Sequence, residues 1–286
     1  MEAGKHEICP ARGKIQQLTS LPSLAVVKYQ LVKALNKDSI SIEDISDIVK
    51  HDQALASRVL AIANSAFLGY PGRIGAIDQA VMLLGFDLVR SISLAASMFN
   101  VFASQYGNLK QIWAHSYVVA SIASGLCDKL QGSEKGNCFL SGLLHDIGRL
   151  ALFRIASESD MDTQIHELAR LRGDALLKAE EEMSGCSHTQ AAKWFLEHLY
   201  FPDEIIVPIE KHHELAGEGP LKKISNIIFL AEGLSDIICP LIAHDSKWTE
   251  AHVKLFSEMG LGDKDIDDLK ASVETEEASI AKFFDL

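Results

Sequence analysis

Residues 139–152 read FLSGLLHDIGRLAL, an apolar helical run interrupted by a histidine and an aspartate side by side, His145 and Asp146. A buried imidazole or carboxylate needs a partner, because an unpaired polar group inside a protein is costly and an unpaired charge more so. Similar residues recur on apolar, helix-like segments: His115 in IWAHSYVVA, His188 in CSHTQAAKWF, His212 and His213 in EKHHE, and Glu232 in FLAEGLSD. One such residue is usually a satisfied core histidine. So many together are most economically satisfied by a shared metal centre.

Working outward from that run, helical periodicity recurs throughout the chain and strand signals are nearly absent, which predicts an all-α helical bundle. In Ser41-Ile-Glu-Asp44 a hydroxyl precedes an acid by three, a helix-start signature. Asp52 is expected to cap the next helix. Asp78 is expected to cap a short one ending near Gly85. A second helical set covers roughly 111–130, 136–154, 163–172, 174–183, 187–199, 203–215 and 221–239, with a junction between the sets near Tyr106–Lys110. The division expected is 14–105, 106–240 and a helical extension over 241–286. The acidic run in that extension reads as a solvated face, and Asn64 as a tie on a helix end.

The 286 residues can bury a sizeable core, and 48% hydrophobic with 23% charged residues describes an ordered chain. Net charge is 27 − 39 = −12, which argues against a broad phosphate-clamping surface for nucleic acid. An anionic small molecule stays compatible, since bound cations would reverse the local sign. The five cysteines form no CxxC pair and suit free thiols in a reducing cytoplasm. The start, MEAGKHEICPARGK, lacks the apolar core of a signal peptide. The stretch Ile227–Ala243 is too short and too charged to span a bilayer. A cytoplasmic protein without membrane attachment is therefore expected.

Adjacent helical residues point about 100° apart, so His145 and Asp146 reach a common centre only if the pair faces a cavity between helices. His212 and His213 pose the same geometry near a helix end. Inward side chains on facing helices are how α bundles build metal sites. Five imidazoles with Asp146 and Glu232 exceed the needs of one tetrahedral zinc. They suit two cations sharing a carboxylate, about 3.5–4 Å apart. Imidazole and carboxylate donors favour iron, manganese or zinc over calcium or magnesium. His6, His51, His166, His198, His244 and His252 lie in polar or unpatterned settings and read as surface residues. Cys186 stands two residues before His188, a spacing that makes no catalytic pair.

Several stretches carry a resemblance to a known family: LPSLAVV, DIVKHDQALASRVLAIANSAFLG, IDQAVMLLGFDLVRSISLA, IWAHS, FLSGLLHDIGRLAL, SHTQAAKWFLEHLYFPDEI and the HH of KHHE. Over about residues 14–240 the chain resembles the HDOD family, the HD-related output domains of bacterial signalling proteins. The resemblance implies an N-terminal helical half packed on an HD-superfamily-like bundle, and a signalling output module without robust catalysis. Its partners would be signalling proteins or a phosphate-containing small molecule. The parent superfamily comprises metal-dependent phosphohydrolases, which is the alternative function. By that resemblance His115, His145, Asp146 and Glu232 would hold one metal. Asp146 would bridge to a second held by His188, His212 and His213. The pair would be two divalent transition-metal ions, iron foremost, with manganese or zinc as the alternatives. Asp146 and Arg149 would be the catalytic candidates, Arg149 holding a phosphate oxygen.

Three departures separate this chain from the cyclic di-GMP phosphodiesterases of the superfamily. Glu232 stands where an Asp is usual. Arg149 stands where they have Lys. HHELAGEGP lacks the tyrosine of their glycine-tyrosine-proline loop. Slow or absent hydrolysis of cyclic di-GMP is expected.

Overall fold

The computed structural model describes residues 9–18, 46–47, 49–50, 53–64, 68, 72–103, 109–157, 171, 173–239 and 247–275. Helices account for the regular structure there, and no strand occurs among the described residues. The expected helix start at Ser41–Asp44, the Asp52 cap and, apart from Leu171, the helix over 163–172 lie outside them.

Among the described residues, four helices precede the site: α1 (Pro10–Leu18), α2 (Gln53–Ala63), α3 (Ile77–Leu84) and α4 (Phe86–Ala103). Helices α2, α3 and α4 pack on one another. The α3 helix ends at Gly85, whose φ of 86° and N–H bond to the Val81 carbonyl close its last turn. Asp78 does not cap that helix; it lies in the first turn and pairs with Lys50 at 3.0 Å. At the end of α2 the Asn64 amide donates to the Leu60 and Ile74 carbonyls and accepts from Ile74 N–H at 2.8 Å. Its role is structural, as the sequence suggested.

The site-bearing helices follow: α5 (Leu109–Lys129), α6 (Lys135–Leu144), α7 (Ile147–Ser157), α8 (Gly173–Ser184), α9 (His188–His198), α10 (Asp203–Glu210) and α11 (Lys222–Ile238). The expected helix over 136–154 is two helices, broken at His145–Asp146. The helix expected over 203–215 stops at Glu210, leaving His212 and His213 in the turn beyond it. Residues 138–144 of α6 are all buried, so α6 is apolar on every side and belongs to the interior. Helix α5 packs on α6 and α11, α7 on α9, and α10 on α6, α9 and α11.

One apolar core joins α1, α2 and α4 to α6, α7, α9 and α10 through residues such as Ile15, Leu55, Ile92, Phe139, Leu150 and Phe195. A second lies among α5, α11 and two further helices, α12 (Glu250–Glu258) and α13 (Asp263–Thr275). In α13 only Leu269 and Val273, four residues apart, are buried. Its acids face outward, and Asp265 and Asp268 each hold Lys129 at 2.9 Å. None of the described helices is long and apolar enough to cross a membrane.

Candidate metal centre

The break between α6 and α7 is what lets neighbouring residues share one centre. His145 closes α6 with its Nδ1 2.8 Å from the Gly142 carbonyl, while the Asp146 carbonyl accepts from Arg149 N–H at 3.0 Å. Gly148 then allows α7 to lie directly on α9. A Cβ at this position would stand 1.9 Å from the His188 carbonyl oxygen and 2.7 Å from the Ala192 nitrogen. Only glycine permits that approach.

All seven metal candidates come together, and their donor atoms fall into two groups. His115, His145 and Asp146 form one, and His188, His212 and His213 the other, with donor atoms in each within 4.8 Å of one another. Asp146 lies between them. Its Oδ2 is 3.6 Å from His145 Nε2, and its Oδ1 is 3.6 Å from His188 Nε2. Glu232 joins the first group, its Oε2 3.1 Å from His115 Nε2 and 3.2 Å from His145 Nε2. In the second group His188 Nε2 lies 3.3 Å from His212 Nε2 and 3.1 Å from His213 Nε2.

The outer nitrogens explain why the inner ones converge. His145 Nδ1 faces the Gly142 carbonyl, His212 Nδ1 faces the Ile209 carbonyl at 2.7 Å, and His188 Nδ1 faces Glu180 Oε2 at 2.7 Å. An acceptor on Nδ1 fixes the proton there and turns the Nε2 lone pair inward, as ligating histidines require. Glu180 also accepts the His188 backbone N–H at 2.8 Å. It was not among the sequence candidates, because Glu180-Glu181-Glu182 reads as a solvated run. Its signal was the phase: it follows Leu176 by four, and these two are the buried residues of α8.

Burial and charge agree with a cation. His115, His145, Asp146, His188, His212 and Glu232 are each 3% exposed or less. His145 Nε2, Asp146 Oδ1 and Glu232 Oε1 are buried without a hydrogen-bond partner in the protein. Burial works to raise the carboxyls of Asp146 and Glu232, yet the facing histidines hold both well below the usual carboxylate range. Burial works to lower His145, but Asp146 and Glu232 push it up to about 9. Burial and the other imidazoles bring His213 down to about 3 and hold His212 well below its ordinary value. His212 and His213 are thus neutral imidazoles, the form that ligates. Donor set and orphaned atoms fit a metal site.

Arg149 is 1% exposed, with its guanidinium 3.4 Å from Asp146 Oδ2 and over the Phe153 ring. Contact with a phosphate would require that arrangement to open. A cavity of about 570 Å³ reaches the centre at His212, His213 and Glu232. Its lining includes His252, which contradicts the surface assignment: this ring is 6% exposed and stacks on Phe229 at 3.9 Å. His198 is exposed as expected. His6, His51, His166 and His244 lie outside the described residues. All five cysteines are free, and Cys127, Cys138 and Cys186 are buried.

The HDOD domain family matches residues 21–215. An uncharacterized protein of Treponema pallidum is 24% identical over 217 residues, covering 74% of this chain and 42% of its own length. The uncharacterized protein YuxH of Bacillus subtilis is 24% identical over 122 residues, 43% of this chain and 30% of its own. The chain thus spans less than half the length of these curated relatives. Among solved structures, a Shewanella amazonensis protein provisionally named a metal-dependent phosphohydrolase superposes with a TM-score of 0.65 at 21% identity, over 94% of this chain and 97% of its own. An HDOD domain protein of unknown function from Geobacter sulfurreducens gives 0.59 at 21%, over 96% and 97%. At such identities the likeness is one of fold.

Proposed function

Because the chain belongs to the HDOD family, we propose that it is a signal-transduction output module that retains a two-metal centre of the HD type without robust turnover. The observation that carries this reading is Asp146, whose two oxygens divide between two histidine groups. His115, His145 and Glu232 would hold one divalent ion, and His188, His212 and His213 the other. Imidazole and carboxylate donors suit iron, manganese or zinc, and iron is proposed foremost on the family resemblance. Partners would be signalling proteins or a phosphate-containing small molecule.

The second reading is a metal-dependent phosphohydrolase acting on a nucleotide or cyclic nucleotide, and the cavity reaching His212, His213 and Glu232 favours it. Two divalent ions, when bound, lower the pKa of a shared water and neutralise charge on a phosphate ester. In both readings Arg149 holds Asp146 in place, and Glu180 orients His188. Elemental analysis of protein purified without added metal, then a phosphodiesterase screen on the same sample, tests the two. Two ions with no turnover supports the first reading, and two ions with turnover supports the second. Absence of metal defeats both.

A further inference from the structure

Two thiols meet where the start of α1 lies against the turn between α8 and α9. Cys9 is half-buried, with its Sγ 3.2 Å from the Gly185 carbonyl and 3.7 Å from the Ser184 carbonyl. The residue after Gly185 is Cys186, which is fully buried, and the two cysteine side chains share a hydrogen bond. Both segments are held in place. The Cys9 carbonyl accepts from Arg12 N–H at 3.0 Å, and the Arg12 guanidinium stands 5.5 Å from the centre of the Trp194 ring on α9. Gly185, at a φ of 78°, closes α8 with its N–H on the Glu181 carbonyl at 2.8 Å. Ser187 caps α9 by accepting from Gln190 N–H at 3.4 Å. A bond between sulfurs already in contact therefore asks for little movement of either segment.

A second pair, Cys127 of α5 and Cys138 of α6, also shares a side-chain hydrogen bond. Both of its members are fully buried, and the turn between them packs on the sulfur: a Cβ on Gly132 would come within 2.6 Å of Cys127 Sγ. Thiol oxidation follows access to the oxidant. Exposure thus separates the two pairs, since Cys9 meets solvent and has a second thiol against it.

We propose that Cys9 and Cys186 are a reversible oxidation site for peroxides, Cys9 being attacked first and Cys186 resolving it into a disulfide. In the first step the Cys9 sulfur, as its thiolate, attacks one oxygen of hydrogen peroxide. The O–O bond breaks, the departing oxygen leaves as water with the proton from Cys9, and Cys9 becomes a sulfenic acid. In the second the Cys186 sulfur attacks the Cys9 sulfur, the S–O bond breaks, and the hydroxyl leaves as water with the Cys186 proton. Two thiols give up two electrons, and one peroxide becomes two waters. The cross-link fastens α1 to the turn that presents His188, whose backbone and ring Glu180 holds. Reversible, redox-sensing disulfides are the kind a reducing compartment permits.

The inference stands apart from the metal reading. The reduced full chain, freed of reductant, is treated with hydrogen peroxide sufficient to oxidise free cysteine, and thiols are counted after unfolding. The count is expected to fall from five to three, and dithiothreitol to restore five. Peptide mapping by mass spectrometry should join Cys9 to Cys186 within one chain. Cys186→Ala should leave Cys9 as a sulfenic acid that dimedone traps, while Cys9→Ala should keep all four of its remaining thiols. Thermal melts establish that each variant is folded, and Cys9→Ala, at a half-buried position, serves as the test if Cys186→Ala is not. Five thiols retained in the wild type, a bond between Cys127 and Cys138 instead, a dimer joined through Cys9, or loss of thiols in Cys9→Ala would each overturn the proposal.

Discussion

At the scale of single residues, the site is a problem of where each proton sits. Asp146→Ala should remove both ions, since its two oxygens face different groups, whereas His213→Ala should remove one; elemental analysis of each variant decides. Glu180→Gln tests the orienting contact. A neutral amide keeps the volume but loses the charge that fixes the His188 tautomer. The affinity of the ion at His188 should fall roughly 10–100-fold, the usual cost of losing such a partner, read by competition with a chelator. His252 gives a pH signature away from the ligands. Burial brings its imidazole down to about 4 from an ordinary 6.5. The unfolded chain therefore binds the extra proton between those values, so stability is fully present above about 6.5 and lost as pH falls through about 4. His252→Phe keeps the stack on Phe229 and removes the titration. Its denaturation midpoint should fall less than that of the wild type between pH 7 and pH 4.5.

At the scale of helices, what was legible in the sequence was the period, and what was hidden was where the period stops. Leu144 and Ile147 continue the apolar pattern across His145 and Asp146, so nothing in the pattern announces the break between α6 and α7. The reason for it lies in another helix, since α7 must approach α9 within the space that Gly148 leaves. The ligands were legible because a histidine on an apolar face stands out, as His115 and His188 do. Glu180 and His252 were not, because one stands in an acidic run and the other in a polar stretch, and only their contacts bury them. Gly148→Ala should destabilise by about 1–3 kcal/mol through overpacking, and it should also weaken the ion at His188, whose carbonyl the new methyl strikes. Gly217→Ala, with nothing within 4 Å of its added Cβ, should change neither. Denaturant midpoints with metal analysis on both variants check this.

For the whole molecule, the same ligands can serve a fold or a reaction, and the two roles make different demands on geometry. They come from α5, the α6–α7 break, α9, the turn after α10, and α11, so ions bound there would tie together helices from both apolar cores. An ion that binds only the native state stabilises it by mass action, about 2.7 kcal/mol at a concentration of 100 Kd. Chelation should therefore lower Tm clearly in the wild type and little in Asp146→Ala. Catalysis asks for more than retention, because misplacing a phosphoester by about an ångström can cost roughly 100-fold. Here Glu232 contributes its carboxylate through a longer side chain than aspartate, Arg149 is buried against Asp146, and HHELAGEGP offers no tyrosine to position a nucleotide. Cyclic di-GMP should accordingly be hydrolysed slowly or not at all by protein that carries both ions. Turnover near the common enzyme range of about 1–10³ s⁻¹, abolished by His188→Ala, would show instead that the centre is an active phosphodiesterase and that its ions do more than hold helices together.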